Sequence, residues 1–361
     1  MKRDHRNLLS LALIAILIVG ALGGCSSQGG GSGDAQEGNT GNSAAAGEAV
    51  TLRWADHWPS SSLTAAAIDE FCAQVKEATE GRVVIEAYHD AVLGASVDAL
   101  AMLSSGTADI IWTSTAIFNG QFPYSEMLTL PLGILDAPTG TEIMWDLLEQ
   151  YPQAFEEEYA DYHLLMAHVT TTNVIGSTKG SIQSLSDLAG LNIRAGAGVP
   201  TDMATMWGGT PVAIATPDLY TSLQRGVVDA YIFDVPGINT FNLGELTPCL
   251  VDAGLGFNAC PVLMSPDAWV SISESDQQII SGLAGRTGSL ALANTMQEEA
   301  DTFYGSYEAS GAELYLLQPG DALYEELHAP FADYIDGWVT EMTTDTVDVQ
   351  AMVDYVYNYT E

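Results

Sequence analysis

Arg194 is the residue whose type and setting point most directly to chemistry. It ends the strand-like run Leu191-Asn192-Ile193-Arg194, and Ala195-Gly196-Ala197-Gly198 follows at once as a turn into a helix near Pro200. A guanidinium in that place faces the crevice at the carboxyl ends of strands, where open α/β sheets hold ligands. Its planar fork matches a carboxylate through two parallel hydrogen bonds. The helix start behind it offers amide donors and a favourable dipole. The competing reading is a structural arginine bridging to one of the chain's 47 acidic residues.

Enzyme signatures do not accompany it. The chain has no GxSxG elbow, HExxH, CxxC or P-loop. Gly196-Ala197-Gly198 sits where a dinucleotide fingerprint would, but Thr201 occupies the third glycine position and no suitable partner follows. His57, His89, His163, His168 and His328 lack metal-ligand spacing and each reads first as a structural histidine. Paired acids such as Asp229 and Asp234 carry little information in so acidic a chain. The residues read as a binding protein rather than an enzyme, with no cofactor; a secreted enzyme using cleft carboxylates is the rival that turnover of a bound acid would revive.

Composition narrows the partner. Residues 1–25 hold three of the ten basic residues and one of the 47 acids, so the remainder has seven bases, 46 acids and a formal charge of −39. Phosphate recognition needs clustered Lys and Arg, so nucleic acid is not expected as a partner. Lys2, Arg3 and Arg6 precede an apolar run from Leu8 to Leu22, too short for a comfortable span and fitting a secretory leader. The run ends in Leu22-Gly23-Gly24-Cys25, which resembles a bacterial lipobox, and that resemblance implies cleavage before Cys25 and its acylation, palmitate included. Residues 26–49 are Gly/Ser-rich and read as a flexible tether, whose coil would reach roughly 25–30 Å. Cys249 and Cys260 flank a Gly-containing segment between two apolar runs and are expected to form a disulfide across adjacent strands, while Cys72 reads as buried in a helix face.

The elements that must position Arg194 follow from periodicity. Strands are expected at 51–56, 82–88 and 108–113, separated by a helix capped by Ser62 (apolar at Leu63, Ala67, Ile68, Phe71 and Val75) and another through Val97, Leu100 and Leu103. This β-α-β-α-β order implies right-handed crossovers and a mainly parallel sheet. A second unit starts near 170, with strands at 191–196, 210–214 and 227–233 and a short helix over 218–224. Further strand-like runs lie at 248–253 and 260–264. A helical stretch of roughly 35 residues runs from Ser275, and AELYLLQ then two helices end the chain. Two sheets with the chain passing between them at least twice imply a hinge around a ligand cleft.

At this point the chain resembles the extracytoplasmic binding subunits of tripartite ATP-independent periplasmic (TRAP) transporters. The strongest segment, SLSDLAGLNIRAGAGVPTDMATMWGGTPVAIATPDLYTSLQRGVVDAYIFD over 184–234, is similar to the family's "DLKGLKIRVPGS", "LGA-PV-MP" and "EVYTALQTGVVDG". GRVVIEAYHDAVLG (81–94) and SEMLTLPLGIL (125–135) resemble its "GRVKVEVYPGGQLG" and "FDLPFLF". The resemblance implies an α/β, two-lobed periplasmic-binding-protein-like fold with two mixed sheets, crossover hinge strands and a long helix spanning both lobes. It divides the chain into 50–171 plus about 257–297, and 172–256 plus about 298–361. It implies capture of a small organic acid and delivery to a two-part permease; a sensory lipoprotein presenting a carboxylate to a receptor or kinase shares the same site.

The resemblance also names the family's carboxylate-binding arginine, which falls on Arg194. Where relatives that take sialic acid carry a second arginine, this chain has Asn173 and Val174; Phe233 replaces a frequent Asn, and Ser114 replaces an acid found in some members. His57 and Trp58, after the first strand, are further expected contacts, whereas Trp112 and Trp207 read as core. Such a lining would leave sugar hydroxyls unpaired at ~1–3 kcal/mol each. It points to a branched 2-oxo acid, an aromatic acid or a short dicarboxylate.

Overall fold

The computed structural model describes residues 49–360 except residue 119. The expected leader, Cys25 and the tether up to residue 48 lie outside the described residues. From the amino end the elements are β1 (Val50–Ala55), α1 (Leu63–Ala78), β2 (Val83–Tyr88), α2 (Ala99–Ser104), β3 (Ile110–Trp112), α3 (Ala137–Gln150), α4 (Pro152–Glu158) and β4 (His163–Val169). Then come β5 (Asn173–Ser177), β6 (Asn192–Arg194), α5 (Val199–Met206), β7 (Thr210–Val212), α6 (Thr216–Gln224), β8 (Ala230–Asp234), α7 (Val235–Thr240) and β9 (Cys249–Asp252). The chain ends with β10 (Ala259–Met264), α8 (Pro266–Val270), α9 (Glu274–Leu283), α10 (Gly285–Ala309), β11 (Glu313–Leu316), α11 (Ala322–His328), α12 (Phe331–Met342) and α13 (Val349–Thr360).

Local chemistry explains the framing elements. Ser62 Oγ accepts from the Ala65 amide at 3.1 Å and starts α1. Helical spacing then lays Ala65, Ile68, Phe71, Cys72 and Val75 on one buried face. Full burial of a side chain such as Ile68 contributes roughly 1.5–3 kcal/mol, and Ile68→Ala would cost ~2–5 kcal/mol. Arg53 on β1 donates through its backbone amide and Nε to Asp109 Oδ2, at 2.8 and 3.1 Å, tying that strand to the entry of β3.

Two mixed sheets form, each the base of one lobe. The first runs β2-β1-β3-β10-β4, with β2, β1 and β3 parallel and β10 antiparallel to both neighbours. The second runs β11-β9-β5-β8-β6-β7, with β5 antiparallel to β8 and β9. Parallel pairing joins β2, β1 and β3 in the first sheet, and β8, β6 and β7 together with β11 and β9 in the second, while β10 and β5 run antiparallel to their neighbours and mix the two sheets. The chain crosses between the sheets at 170–172 and at 253–258, and again through α10, which packs on α1, α3 and β4 and farther along on α7 and β11. The crossing segments hold each other: Thr170 donates its amide to Asn258 O at 3.0 Å, and Asn258 donates its own to Thr170 Oγ1 at 3.1 Å.

Three expectations are corrected. Cys249 and Cys260 are free, buried thiols, one on β9 of the second sheet and the other on β10 of the first. The segment between them is a crossing between sheets, not a hairpin turn, so the geometry a disulfide needs does not arise. The expected 35-residue helix is two helices broken at Ala284-Gly285, because Gly285 takes φ +49°, a left-handed turn that only glycine enters readily. After β11 there are three helices rather than two.

Candidate functional site

A cavity of about 420 Å³ opens where the carboxyl ends of β1, β3, β6 and β8 meet the crossing segments. It brings together every residue proposed from the sequence as a ligand contact: His57, Trp58, Ser114, Asn173, Arg194 and Phe233. Core packing locates the central one. Ile193 is buried in the core while its neighbour Arg194 is 8 % exposed, because alternate residues of a strand point to opposite faces.

The guanidinium of Arg194 is only partly satisfied. Its Nε donates to Ile214 O at 3.3 Å and its Nη2 to Thr216 Oγ1 at 3.1 Å. Its Cζ lies 4.7 Å from the centroid of the Phe233 ring. No carboxylate forms an ion pair with it among the described residues; Asp234 acts on it only at longer range. Burial lowers its pKa to about 10, against the opposing pull of Asp234, so it stays charged at neutral pH. A buried cation without a carboxylate partner is the setting in which an incoming anion gains most.

Opposite it stands an aromatic wall. Trp58 stacks on His57 with centroids 5.4 Å apart, and Trp112 meets Trp58 edge-on at 5.3 Å. Burial lowers the pKa of His57, despite the neighbouring Asp56 charge, so the wall is neutral. Asp56 positions it: Oδ1 accepts from the Trp58 amide at 2.9 Å, and Oδ2 pairs with His89 Nδ1 at 2.8 Å. That bond to Asp56 raises the His89 pKa to about 9. The Trp58 Nε1–H is buried and has no partner among the described residues.

Sequence reasoning missed Trp112, which it set aside as core. Trp112 is buried, yet it lines the cavity, and its Nε1–H donates to His168 Nε2 at 2.8 Å while His168 Nδ1–H donates to Val169 O at 3.1 Å. Burial pushes the His168 pKa down to about 4, which keeps the ring neutral and its Nε2 free to accept. Trp207 does belong to the core, donating to Leu327 O. Thr170, Asp234, Asn258 and Cys260 also line the cavity. Thr170 and Asn258, at the crossings, carry no sequence signal beyond adjacency to predicted strands, while in the sequence Asp234 and Cys260 read only as one of many acids and as a disulfide partner.

A family model described as bacterial extracellular solute-binding protein, family 7, matches residues 54–325. The chain belongs to this family. As a TRAP-type solute-binding protein it is 26 % identical over 246 residues to a solute-binding protein of Chromohalobacter salexigens, covering 64 % of this chain and 70 % of that protein. Its fold matches a TRAP periplasmic solute-binding protein of Bordetella bronchiseptica with bound (R)- and (S)-mandelate, at a TM-score of 0.78, 22 % identity and coverage of 86 % and 98 % of the two chains. It likewise matches a TRAP solute-binding protein of Rhodoferax ferrireducens in complex with benzoate, at a TM-score of 0.78, 21 % identity and coverage of 86 % and 97 %. The two-lobed architecture of TRAP-type binding proteins is thus shared across this distance in sequence. Among the described residues no helix is long and apolar enough to cross a membrane.

Proposed function

We propose that this TRAP-type solute-binding protein captures a small carboxylate, with Arg194 as the clamp, and hands it to a TRAP permease for uptake. The observation that carries the reading is Arg194 itself: a buried, charged fork in the cleft between the lobes, with no acid paired to it among the described residues. A ligand carboxylate would take the guanidinium edge left open, and Phe233 would hold the plane of the fork. His57, Trp58 and Trp112 would pack on the ligand's apolar body, and Ser114 and Asn173 would border it.

The neutral aromatic wall favours a compact, partly apolar acid. Mandelate and benzoate in the two matched structures belong to that class, as does the aromatic acid named among the sequence-based expectations. Branched 2-oxo acids and short dicarboxylates remain members of the same screen. Thermal-shift screening of organic acids tests the reading, since a ligand at 100 times its Kd adds about 2.7 kcal/mol of stability. No stabilisation by any acid would refute it.

Lipid anchoring at Cys25 belongs to the same proposal. A basic start, an apolar run and Leu22-Gly23-Gly24-Cys25 support it, and the tether after it would let the binding domain range above the membrane. Cys25→Ser should release the protein from the membrane fraction, and retention there would refute the anchor.

A further inference from the structure

Asp234 lines the cavity and has no part in a carboxylate clamp. It lies three residues beyond Tyr231, the β8 partner of Arg194, and is 5 % exposed. Its Oδ1 accepts from the Gly237 amide at 2.9 Å and caps α7, while Oδ2 accepts from Asn258 Nδ2 at 3.3 Å. A carboxylate has about four acceptor positions, so both oxygens keep capacity for a further donor. Asparagine caps a helix as well as aspartate does. The cap therefore gives no reason for a charge here, where burial works against one.

Glu299 on α10 sharpens the point. It is buried, its Oε1 accepts from Asn239 Nδ2 at 2.8 Å, its Oε2 has no partner among the described residues, and it lies near enough to Asp234 for the two to interact electrostatically. Before any ligand arrives, Arg194 thus already interacts with the Asp234 carboxyl, and Asp234 in turn with that of Glu299. A ligand that brought only a carboxylate would add a third acidic group to this set of buried side chains. A ligand that also brought a donor would give Asp234 a partner.

We infer that Asp234 is a second recognition group of this cleft, accepting a hydrogen bond from an N–H or O–H donor on the bound acid, so that the site selects amino- or hydroxy-acids over unsubstituted ones. The inference rests on the carboxylate reading of Arg194. The charge count makes an ammonium the better of the two donors, because it also offsets the excess of acids.

Calorimetry on the full chain with two matched series tests it: propionate, lactate and alanine; phenylacetate, mandelate and phenylglycine. In at least one series the amino or hydroxy acid should bind about tenfold or more tightly than its unsubstituted counterpart, and the preferred member identifies the donor. Asp234→Asn, which keeps the cap but removes the charge, should shrink that preference at least several-fold, by weakening the amino or hydroxy acid and by letting the unsubstituted acid bind at least as tightly as it does to wild type. Unsubstituted acids that bind as tightly as the others, or a preference that survives undiminished in Asp234→Asn, would overturn the inference and leave the clamp standing. Failure of all six acids to bind would overturn the inference, while the clamp stands or falls separately on the wider thermal-shift screen of organic acids. The wild-type ranking decides by itself if the variant does not fold.

Discussion

The guanidinium carbon of Arg194 lies over the ring of Phe233, 4.7 Å from its centroid. Strand register accounts for the pairing. Arg194 lies opposite Tyr231 across the β6–β8 ladder, and Phe233 is two residues further along β8, the diagonal position that long side chains can reach. The helix behind the ring keeps it there: a Cβ at Gly237 would come within 2.4 Å of Phe233 Cε1, so only glycine allows this close approach. The same ring thus covers one plane of the cation and leaves its edge to the cleft.

Removing the ring should weaken ligand binding without abolishing it. A cation–π contact contributes ~0.5–2 kcal/mol, so Phe233→Leu should reduce affinity roughly 2- to 30-fold. Gly237→Ala should act in the same direction by displacing the ring. Calorimetry with an acid identified in the thermal-shift screen measures both, and unchanged affinity in both variants would detach Phe233 from the site.

The Trp112–His168 bond should make the fold acid-sensitive. The folded pKa of His168 is depressed to about 4 from an ordinary 6.5. Between those values the unfolded chain takes up a proton that the folded chain refuses, so this contribution is complete above pH 6.5 and is lost as pH falls toward 4. The loss is about 3 kcal/mol. His168→Gln removes the titration, so the stability gap between wild type and variant should narrow by about that amount from pH 7 to pH 4 in denaturant titrations. A constant gap would contradict the assignment.

At the alkaline end the His89–Asp56 pair behaves oppositely. Its bond to Asp56 raises the His89 pKa to about 9, so its stabilisation is complete below pH 6.5 and disappears as pH rises through 9. With the second partner, Asp69, on the solvent side, the effect should be about 1–2 kcal/mol. Thermal melts of wild type should fall between pH 6.5 and 9.5 relative to His89→Gln. Because Asp56 also holds the Trp58 amide, ligand affinity should fall over the same range.

Legibility in the sequence followed how local each cause was. Arg194 stood out because basic residues are scarce and this one precedes a glycine-rich turn, both visible within a few residues. Ser62 and the apolar face of α1 were equally plain. Trp112 was not, since an aromatic on a buried strand looks the same whether one ring edge meets a cleft or not; only the distant His168 and Trp58 reveal its role. The cysteine pairing failed for a related reason. Two apolar runs joined by a short Gly-containing segment read as a hairpin, and nothing local says that the second run joins the other sheet. Asp234 was lost among many acids until its burial beside Arg194 set it apart.

The thiols allow a direct check of that correction. With Cys249 and Cys260 free on separate sheets, a reductant should leave the Tm of the binding domain unchanged within about 1 °C. A lost disulfide closing so short a loop would cost roughly 3 kcal/mol and lower the Tm by several degrees. A clear drop under reducing conditions would restore the disulfide.

The most direct measurement is the calorimetric affinity of Arg194→Ala and Arg194→Lys for an acid that binds wild type. Truncating one partner of a desolvated charged pair costs ~2–5 kcal/mol, so Arg194→Ala should bind roughly 30- to several-thousand-fold more weakly. Arg194→Lys should also be impaired, because a point charge cannot reproduce the fork. The ligand-free alanine variant should melt no lower than wild type, since it loses a buried cation that no acid contacts. Wild-type affinity in Arg194→Ala would contradict the account.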